Sequence, residues 1–274
     1  MKKLIIKFIP ASIKPKIKVL IRKFKTSNIN QKIIEHMEID FILSRLHSQK
    51  KIKILEIGSH KGELFNIISP NNFSQNFYIT FIEPNPKSYQ ILKKEYRFKL
   101  RRFIKATFYN FGIGNKDGIS TFYSPSVSSA LFTLKKENLD KFNLQNENVN
   151  ELEIKTYTIE TLLKKKNFIS NYFDIIKVDA EGYDYDITLQ LIDNEIIFNS
   201  LMIELDSTNL ELLFKIIEKL KNYTPFIFLR DGIKTLTIEK INNKNDFQEL
   251  INFYQKSMFN DIAGNIVFVS NNEK

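Results

Sequence analysis

The chain has no cysteine. That absence excludes a disulfide framework, a zinc site built on thiolates and a cysteine nucleophile. It fits a reducing compartment, and the cytoplasm is the expected location. Histidine is scarce too, with three among 274 residues. His36, His47 and His60 are scattered and form no cluster with metal-ligand spacing. His36 and His47 fall in the lead-in before the first predicted strand and read as packing or surface residues. No apolar run approaches the roughly 18 residues of a membrane-spanning helix. Acid, finally, is missing from residues 1–34.

That last absence explains the net charge. The chain carries +10 with a pI near 9.4, a balance that first suggests nucleic acid. Ten of the 41 Lys/Arg lie in residues 1–34, however, and the other 31 match the 31 Asp/Glu. The body is formally neutral, which argues against nucleic acid, because phosphate binding needs a positive face on the binding domain itself. The local run Lys93, Lys94, Arg97, Lys99, Arg101, Arg102 and Lys105 reads as a solvated helix face and the loop after it.

The basic arm begins MKKLIIKFIPASIKPKIKVLIRKFK. Lys7 and Pro10 break its apolar stretch and no small-residue cleavage site follows, so it is not a signal peptide. From Pro15, a good first helical residue, Ile17, Leu20, Ile21 and Phe24 share one helical face, flanked by Lys16, Lys18, Arg22 and Lys23. Two readings stay open. Residues 1–25 lie on an anionic membrane surface at its inner face, where each basic residue contributes about 1 kcal/mol at best. Alternatively the apolar face packs on the body and the lysines are solvated.

Hydrophobic residues make up 43% of the chain, with 24 phenylalanines, enough for a substantial core. Residues 1–50 read as the arm and a helical lead-in, and residues 51–274 as one domain. KIKILEIG, FYITFIEPNP, FIKATFYNFGIGN, ISTFY, ELEIKTYT, YFDIIKVD, SLMIELD, FIFLRDG and GNIVFVS read as strands. KSYQILKKEYRF, IETLLKKK and NLELLFKIIEKLKN read as helices, and KGELFNII as a helix opening. Residues 124–150 read as a long loop or lid. Strands alternating with helices predict an α/β fold, a doubly wound and mostly parallel sheet covered on both faces. The late hairpin-like pieces predict an antiparallel edge.

Such sheets bind ligands at the carboxyl ends of their strands, at the switch point in strand order. The first strand runs into LEIGSHKGE, with Glu56, Gly58, Ser59, His60 and Gly62. This is not G-x-G-x-x-G, which would favour a dinucleotide. It resembles the E/D-x-G-x-x-x-G loop of class I methyltransferases that use S-adenosylmethionine. Glycines allow close backbone approach to the amino-acid part of that ligand, and an acid near its sulfonium and ammonium is favourable. Glu83 ends the second strand about twenty residues after Gly62, where an acid takes ribose hydroxyls in dinucleotide folds. A hydroxyl bonded to a charged carboxylate contributes about 1.5–3 kcal/mol.

LEIGSHKGE, FIEPNP, FGIGNKDG, SSALF, IIKVDAEGYD and LMIELD stand in the order and at about the spacing of the FkbM family of methyltransferases. The sequence resembles that family from about residue 51 to 270. The resemblance implies a Rossmann-like class I methyltransferase that moves a methyl group from S-adenosylmethionine, usually to an oxygen of a sugar or natural product. One departure stands out: His60 occupies the position where the family usually has Asn.

The run IIKVDAEGYD ends a strand on acids. Alternation along a strand points Lys177, Asp179 and Glu181 to one side, and Ile176 and Val178 to the other. Methyl transfer to an alcohol needs an aligned nucleophile and removal of its proton. Asp179 is the first candidate, as general base or as ligand to a divalent cation such as Mg²⁺ that lowers the alcohol's pKa. Glu181 is the second, orienting the acceptor or sharing the metal. Lys177 keeps Asp179 ionised and can polarise the acceptor oxygen. Glu204 ends the next strand in the same cleft, with Asp206 two residues on. Asp184 and Asp186 follow the turn at Gly182 and are expected only to complement a helix dipole.

The expected function is methylation of a small-molecule or glycan acceptor. Two other classes remain open at the level of sequence: a membrane-surface or nucleic-acid binding module on a degenerate methyltransferase fold, and an RNA methyltransferase.

Overall fold

The KIKILEI run forms strand β1, Lys51–Ile57. Its first residues alternate exposed and buried, and its last four are all buried. That change places its carboxyl half in the middle of a sheet covered on both faces. In this computed structural model the described residues are 37–46, 51–62, 76–99, 104–125, 133, 134, 136, 149–165, 168–205, 209–231, 235–240, 245, 246, 249 and 263–271. The basic arm, His36, His47, Asp206 and the expected helix after Gly62 lie outside them.

The other strands are β2 Asn76–Ile82, β3 Ile104–Tyr109, β4 Gly112–Ile113, β5 Gly118–Pro125 and β6 Val149–Tyr157. They are followed by β7 Tyr172–Val178, β8 Ile197–Glu204, β9 Tyr223–Asp231, β10 Thr235–Lys240 and β11 Ala263–Ser270. The helices are α1 Met37–Ser44, α2 Pro86–Lys99, α3 Asp184–Asp193 and α4 Leu210–Lys219, with a single π turn at Thr161–Lys165.

Eight strands form the main sheet in the order β10-β9-β11-β8-β7-β1-β2-β3. The pairs β3–β2, β2–β1, β1–β7 and β7–β8 are parallel. Strand β11 runs antiparallel between β8 and β9, and β10 is antiparallel to β9. The expected doubly wound, Rossmann-like sheet with an antiparallel edge is therefore what the chain forms. From β1 the chain builds outward through β2 and β3, then returns to lay β7 on the other side of β1. The order reverses between β1 and β7, which sets a crevice at their carboxyl ends.

Alternation along the central strands feeds two cores. Ile52 and Ile54 pack with Ile39, Ile42 and Leu43 of α1 and with Leu92 of α2. Leu55, Ile57, Ile176 and Val178 pack with Ile187 and Leu191 of α3 and Leu213 and Ile216 of α4. Each such side chain contributes about 1.5–3 kcal/mol when fully buried.

Two features differ from the expected pattern. The run FIKATFYNFGIGN is not one strand. At Asn110 the chain leaves the main sheet, and β4 joins a separate three-stranded sheet in the order β4-β6-β5. The Asn110 amide donates to the backbone oxygens of Glu83 and Pro84, at 2.8 and 3.1 Å, binding the exit of β3 to the end of β2. Strand β10, unforeseen from the sequence, pairs only with β9 in the main sheet. An edge strand packs on one neighbour and shows weaker patterning than a central one.

The Asp117-Gly118 turn occurs as expected at the start of β5. Asp117 accepts bonds from the Thr158 backbone N–H at 2.9 Å and the Thr161 hydroxyl at 2.7 Å, tying that turn to the end of β6. Those bonds hold its carboxyl below the usual carboxylate range. Of the loop expected over residues 124–150, β5 and β6 claim both ends. Thr133 bridges Tyr123 through paired backbone bonds of 2.8 and 3.0 Å.

Candidate active site

The loop after β1 makes a tight crossing of the switch point. Gly58 and Gly62 have φ of +77° and +86°. The backbone N–H of Gly58 donates to the oxygen of Ile82 at 2.9 Å, and that of Gly62 to the oxygen of Ser59 at 2.8 Å. On the other flank the Asp179 N–H donates to the oxygen of Ile57 at 2.9 Å, so the chain leaving β7 stays bonded to β1. Ser59 is fully buried, and its hydroxyl donates to the backbone oxygen of Glu56 at 3.1 Å.

His60 also takes a left-handed conformation, φ +44°. Asn and His are both enriched among the residues that tolerate that region. This accounts for His60 standing where the resemblance led to an Asn. Its backbone N–H donates to Oε2 of Glu83 at 2.6 Å. Glu83 Oε1 accepts from the Asn85 backbone N–H at 2.7 Å. Glu83 thus ends β2 as expected and clamps the β1 loop. Asn85 in turn caps α2, its side-chain oxygen accepting the N–H of Lys87 at 2.9 Å, with Pro86 at the first helical position.

The acids of the IIKVDAEGYD run come together, by two different routes. Strand alternation delivers Lys177 and Asp179, whose Nζ and Oδ2 are 2.8 Å apart. The Lys177 side chain is 10% exposed and that of Asp179 is 45% exposed. Glu181 arrives otherwise. Strand β7 ends at Val178, and Glu181 sits on a turn with φ +49° beside Gly182 at φ +86°. Burial, then the negative charges of Asp179, Glu204 and Asp184, push its carboxyl up to about 8, against the opposing pull of Lys177.

Asp184 does more than complement the helix dipole. It is 3% exposed at the start of α3. Its oxygens accept the backbone N–H groups of Ala180 at 3.1 Å and Gly182 at 3.0 Å, fixing the turn that carries Glu181. Burial and the nearby Asp179 push its carboxyl up to about 7, although the backbone donors oppose that. Oxygens of Asp179, Asp184 and Glu204 lie within 4.8 Å of one another. An acid at the first position of an acid-rich helix start reads as ordinary helix chemistry, so nothing in the linear sequence marks Asp184 as part of this group.

Glu56 lies on the strand preceding the loop, across from β7. It is fully buried, and its Oε1 is 3.5 Å from Lys177 Nζ. The structure therefore gathers Asp179, Glu181, Asp184, Glu204 and Lys177 around the end of β7. It sets Gly58, Ser59, His60, Gly62 and Glu83 around the end of β1.

The family model described as the methyltransferase FkbM domain matches residues 56–256. Among solved structures, the FkbM methyltransferase of Methylobacillus flagellatus is 17% identical with a TM-score of 0.42, over 70% of this chain and 44% of that one. An O-methyltransferase from Bacillus cereus in complex with S-adenosylhomocysteine is 10% identical with a TM-score of 0.42, over 96% and 93%. A precorrin-6y C5,15-methyltransferase from Geobacter metallireducens is 10% identical with a TM-score of 0.39, over 89% and 90%. No curated protein matches the chain.

Proposed function

The chain belongs to the FkbM family of methyltransferases, and on that premise we propose that it methylates an oxygen of a sugar, glycan or related small molecule with S-adenosylmethionine. When bound, the donor supplies an electrophilic methyl group on a sulfonium. The residues present fit that group. Glu83 is a carboxylate at the end of β2 beside the β1 loop, where it would accept ribose hydroxyls. The acids around the end of β7 outnumber their one lysine, which suits a cationic donor. Gly58, Ser59, His60 and Gly62 shape the loop between these two groups.

One observation carries the oxygen-acceptor reading. The half-exposed Asp179 carboxylate is held by Lys177 at 2.8 Å just past the end of β7, and the Asp179 backbone lies directly against Gly58 of the β1 loop. Asp179 takes the acceptor's proton as the new O–C bond forms and the methyl–sulfur bond breaks. Lys177 holds the carboxylate in place through their 2.8 Å ion pair. Glu181 and Glu204 orient acceptor hydroxyls at the rim.

A second chemical role for Asp179 is supported by the approach of Asp179, Asp184 and Glu204 oxygens to within 4.8 Å: these residues would hold a divalent cation that acidifies the acceptor hydroxyl. A chelator that abolishes turnover, with recovery on added Mg²⁺, selects this role. Unchanged turnover selects the base.

For residues 1–25 we propose peripheral contact with an anionic membrane surface, from their one-sided apolar face and flanking lysines.

The function is tested in two steps. Calorimetry with S-adenosylmethionine and its demethylated product shows binding if the reading holds, and no affinity overturns it. Incubation with methyl-labelled donor and a fractionated glycan or sugar-nucleotide extract then shows which fraction gains the label. Label found only in RNA or protein overturns the acceptor class.

A further inference from the structure

The sequence places Glu56 in the donor-binding loop, as an acid beside a cationic ligand. The register adds a neighbour to it. In the parallel pair of β1 and β7, Glu56 stands directly across from Lys177. Both side chains leave the same face of the sheet as Ile54 and Ile175, the face that packs with α1 and α2. Glu56 is fully buried, and its Oε1 is 3.5 Å from Lys177 Nζ. The same ammonium reaches forward to Asp179 Oδ2 at 2.8 Å. Lys177 is thus gripped from behind by a dry carboxylate and in front by a half-exposed one.

We propose that Glu56 is a positioning residue: it anchors Lys177 across the β1–β7 pair and, through that lysine, holds the Asp179 carboxylate toward the acceptor, without touching the methyl donor. This deepens the methyltransferase reading and rests on it for the role of Asp179.

The physical argument is one of charge and reach. A carboxylate taken wholly out of water is tolerated only beside a compensating cation. Lys177 is the basic residue that the structure sets against it. A lysine side chain is long and rotamer-rich, and one exposed acid holds it poorly. A second, buried acid on the neighbouring strand fixes its Nζ, because both strand backbones are locked into the sheet. Asp179 then inherits a fixed partner although its own strand has ended at Val178. Glu181, Asp184 and Glu204 also lie near Asp179, and negative charge on any of them repels it. Without the anchored lysine that repulsion would swing the carboxylate toward solvent.

The test uses the full chain with Glu56→Gln, which keeps shape and removes charge. Nitrogen-15 spectra of the wild type should show a slowly exchanging Lys177 ammonium resonance, to be identified by its loss in Lys177→Met. The proposal expects Glu56→Gln to broaden or erase that resonance while affinity for S-adenosylhomocysteine changes by less than about threefold. An affinity loss of about tenfold or more, with the resonance intact, makes Glu56 a donor ligand and overturns the proposal.

If Glu56→Gln does not fold, the double variant Glu56→Gln with Lys177→Met decides. Removing both partners of a buried pair restores stability lost on removing one. A double variant that melts no higher than Glu56→Gln overturns the pairing, and recovery supports it. A wild type that binds no donor overturns the methyltransferase reading, yet the spectra and the double variant still decide whether Glu56 anchors Lys177.

Discussion

A Cβ placed on Gly58 would stand 1.7 Å from the backbone oxygen of Asp179. The β1 loop and the residue proposed as the base are therefore in backbone contact across the switch point. Any side chain at Gly58 must force them apart, and its φ of +77° adds strain for an L residue. Gly58→Ala is expected to cost about 3 kcal/mol or more in denaturant unfolding. Gly118→Ala is the control. Its φ is +145° and nothing lies within 4 Å of the added carbon, so its cost is confined to backbone strain, about 1–2 kcal/mol.

Asp179→Asn should retain donor affinity by calorimetry and lose turnover by a factor on the order of 10²–10⁴, the usual contribution of a positioned base. Transfer of labelled methyl to the active extract fraction measures it. Turnover within a few-fold of wild type removes Asp179 from the reaction.

Glu83→Ala should act on the other half of the site. It removes the acceptor for ribose hydroxyls and also the clamp on the His60 N–H. Loss of charged hydrogen bonds of about 1.5–3 kcal/mol each predicts a fall in donor affinity of roughly tenfold to over a hundredfold. Calorimetry with S-adenosylhomocysteine checks it. Glu83→Gln should fall between the two, since it keeps shape and one acceptor oxygen.

The acids near β7 predict how stability depends on pH. Glu181 is raised from 4.5 to about 8 and Asp184 from 3.8 to about 7. A raised carboxyl pKa means the folded state holds the proton more tightly than the unfolded chain. The benefit is full below the unfolded values and is lost as pH rises, through about 7 for Asp184 and about 8 for Glu181. Glu181→Gln should flatten the decline between those limits and be more stable than wild type at the alkaline end. Denaturant midpoints across that pH range measure it. A wild-type profile that rises over the same window would refute the sign.

Deletion of residues 1–34 removes ten basic residues and no acid. The truncated chain should lose sedimentation with vesicles of anionic lipid and keep donor affinity. Binding by the full chain should weaken steeply as salt rises, since it depends on screened charge. Equal sedimentation of both forms favours the arm packed on the body.

Much of this architecture is legible in the linear chain because its signals are local. Buried parallel strands need continuous apolar runs, and KIKILEI, NFYITFI, YFDIIKV and IFNSLMIE supply them. The places where those runs stop are equally local: Gly58 at one, Glu83 before a proline at another, Asp179 at a third. Where spacing was the only guide, the reading fell short. Asn110 breaks what looks like one strand, because its amide finds two carbonyls on a neighbouring strand end. Strand β10 shows no strong pattern, since one partner rather than two covering layers defines it.

The sequence by itself determined the alternation of strands and helices, the family to which the chain belongs, and the candidate residues at the strand ends. It could do so because periodicity and glycine placement act over a few residues. Only the tertiary structure decided which of those residues meet. It set Glu56 against Lys177. It brought Asp184 into the company of Asp179 and Glu204, and it pressed Gly58 onto Asp179. The contacts of Glu56 with Lys177 and of Gly58 with Asp179 depend on the register between strands more than a hundred residues apart in the chain, and the approach of Glu204 depends on the pairing of β7 with β8, which no local pattern encodes.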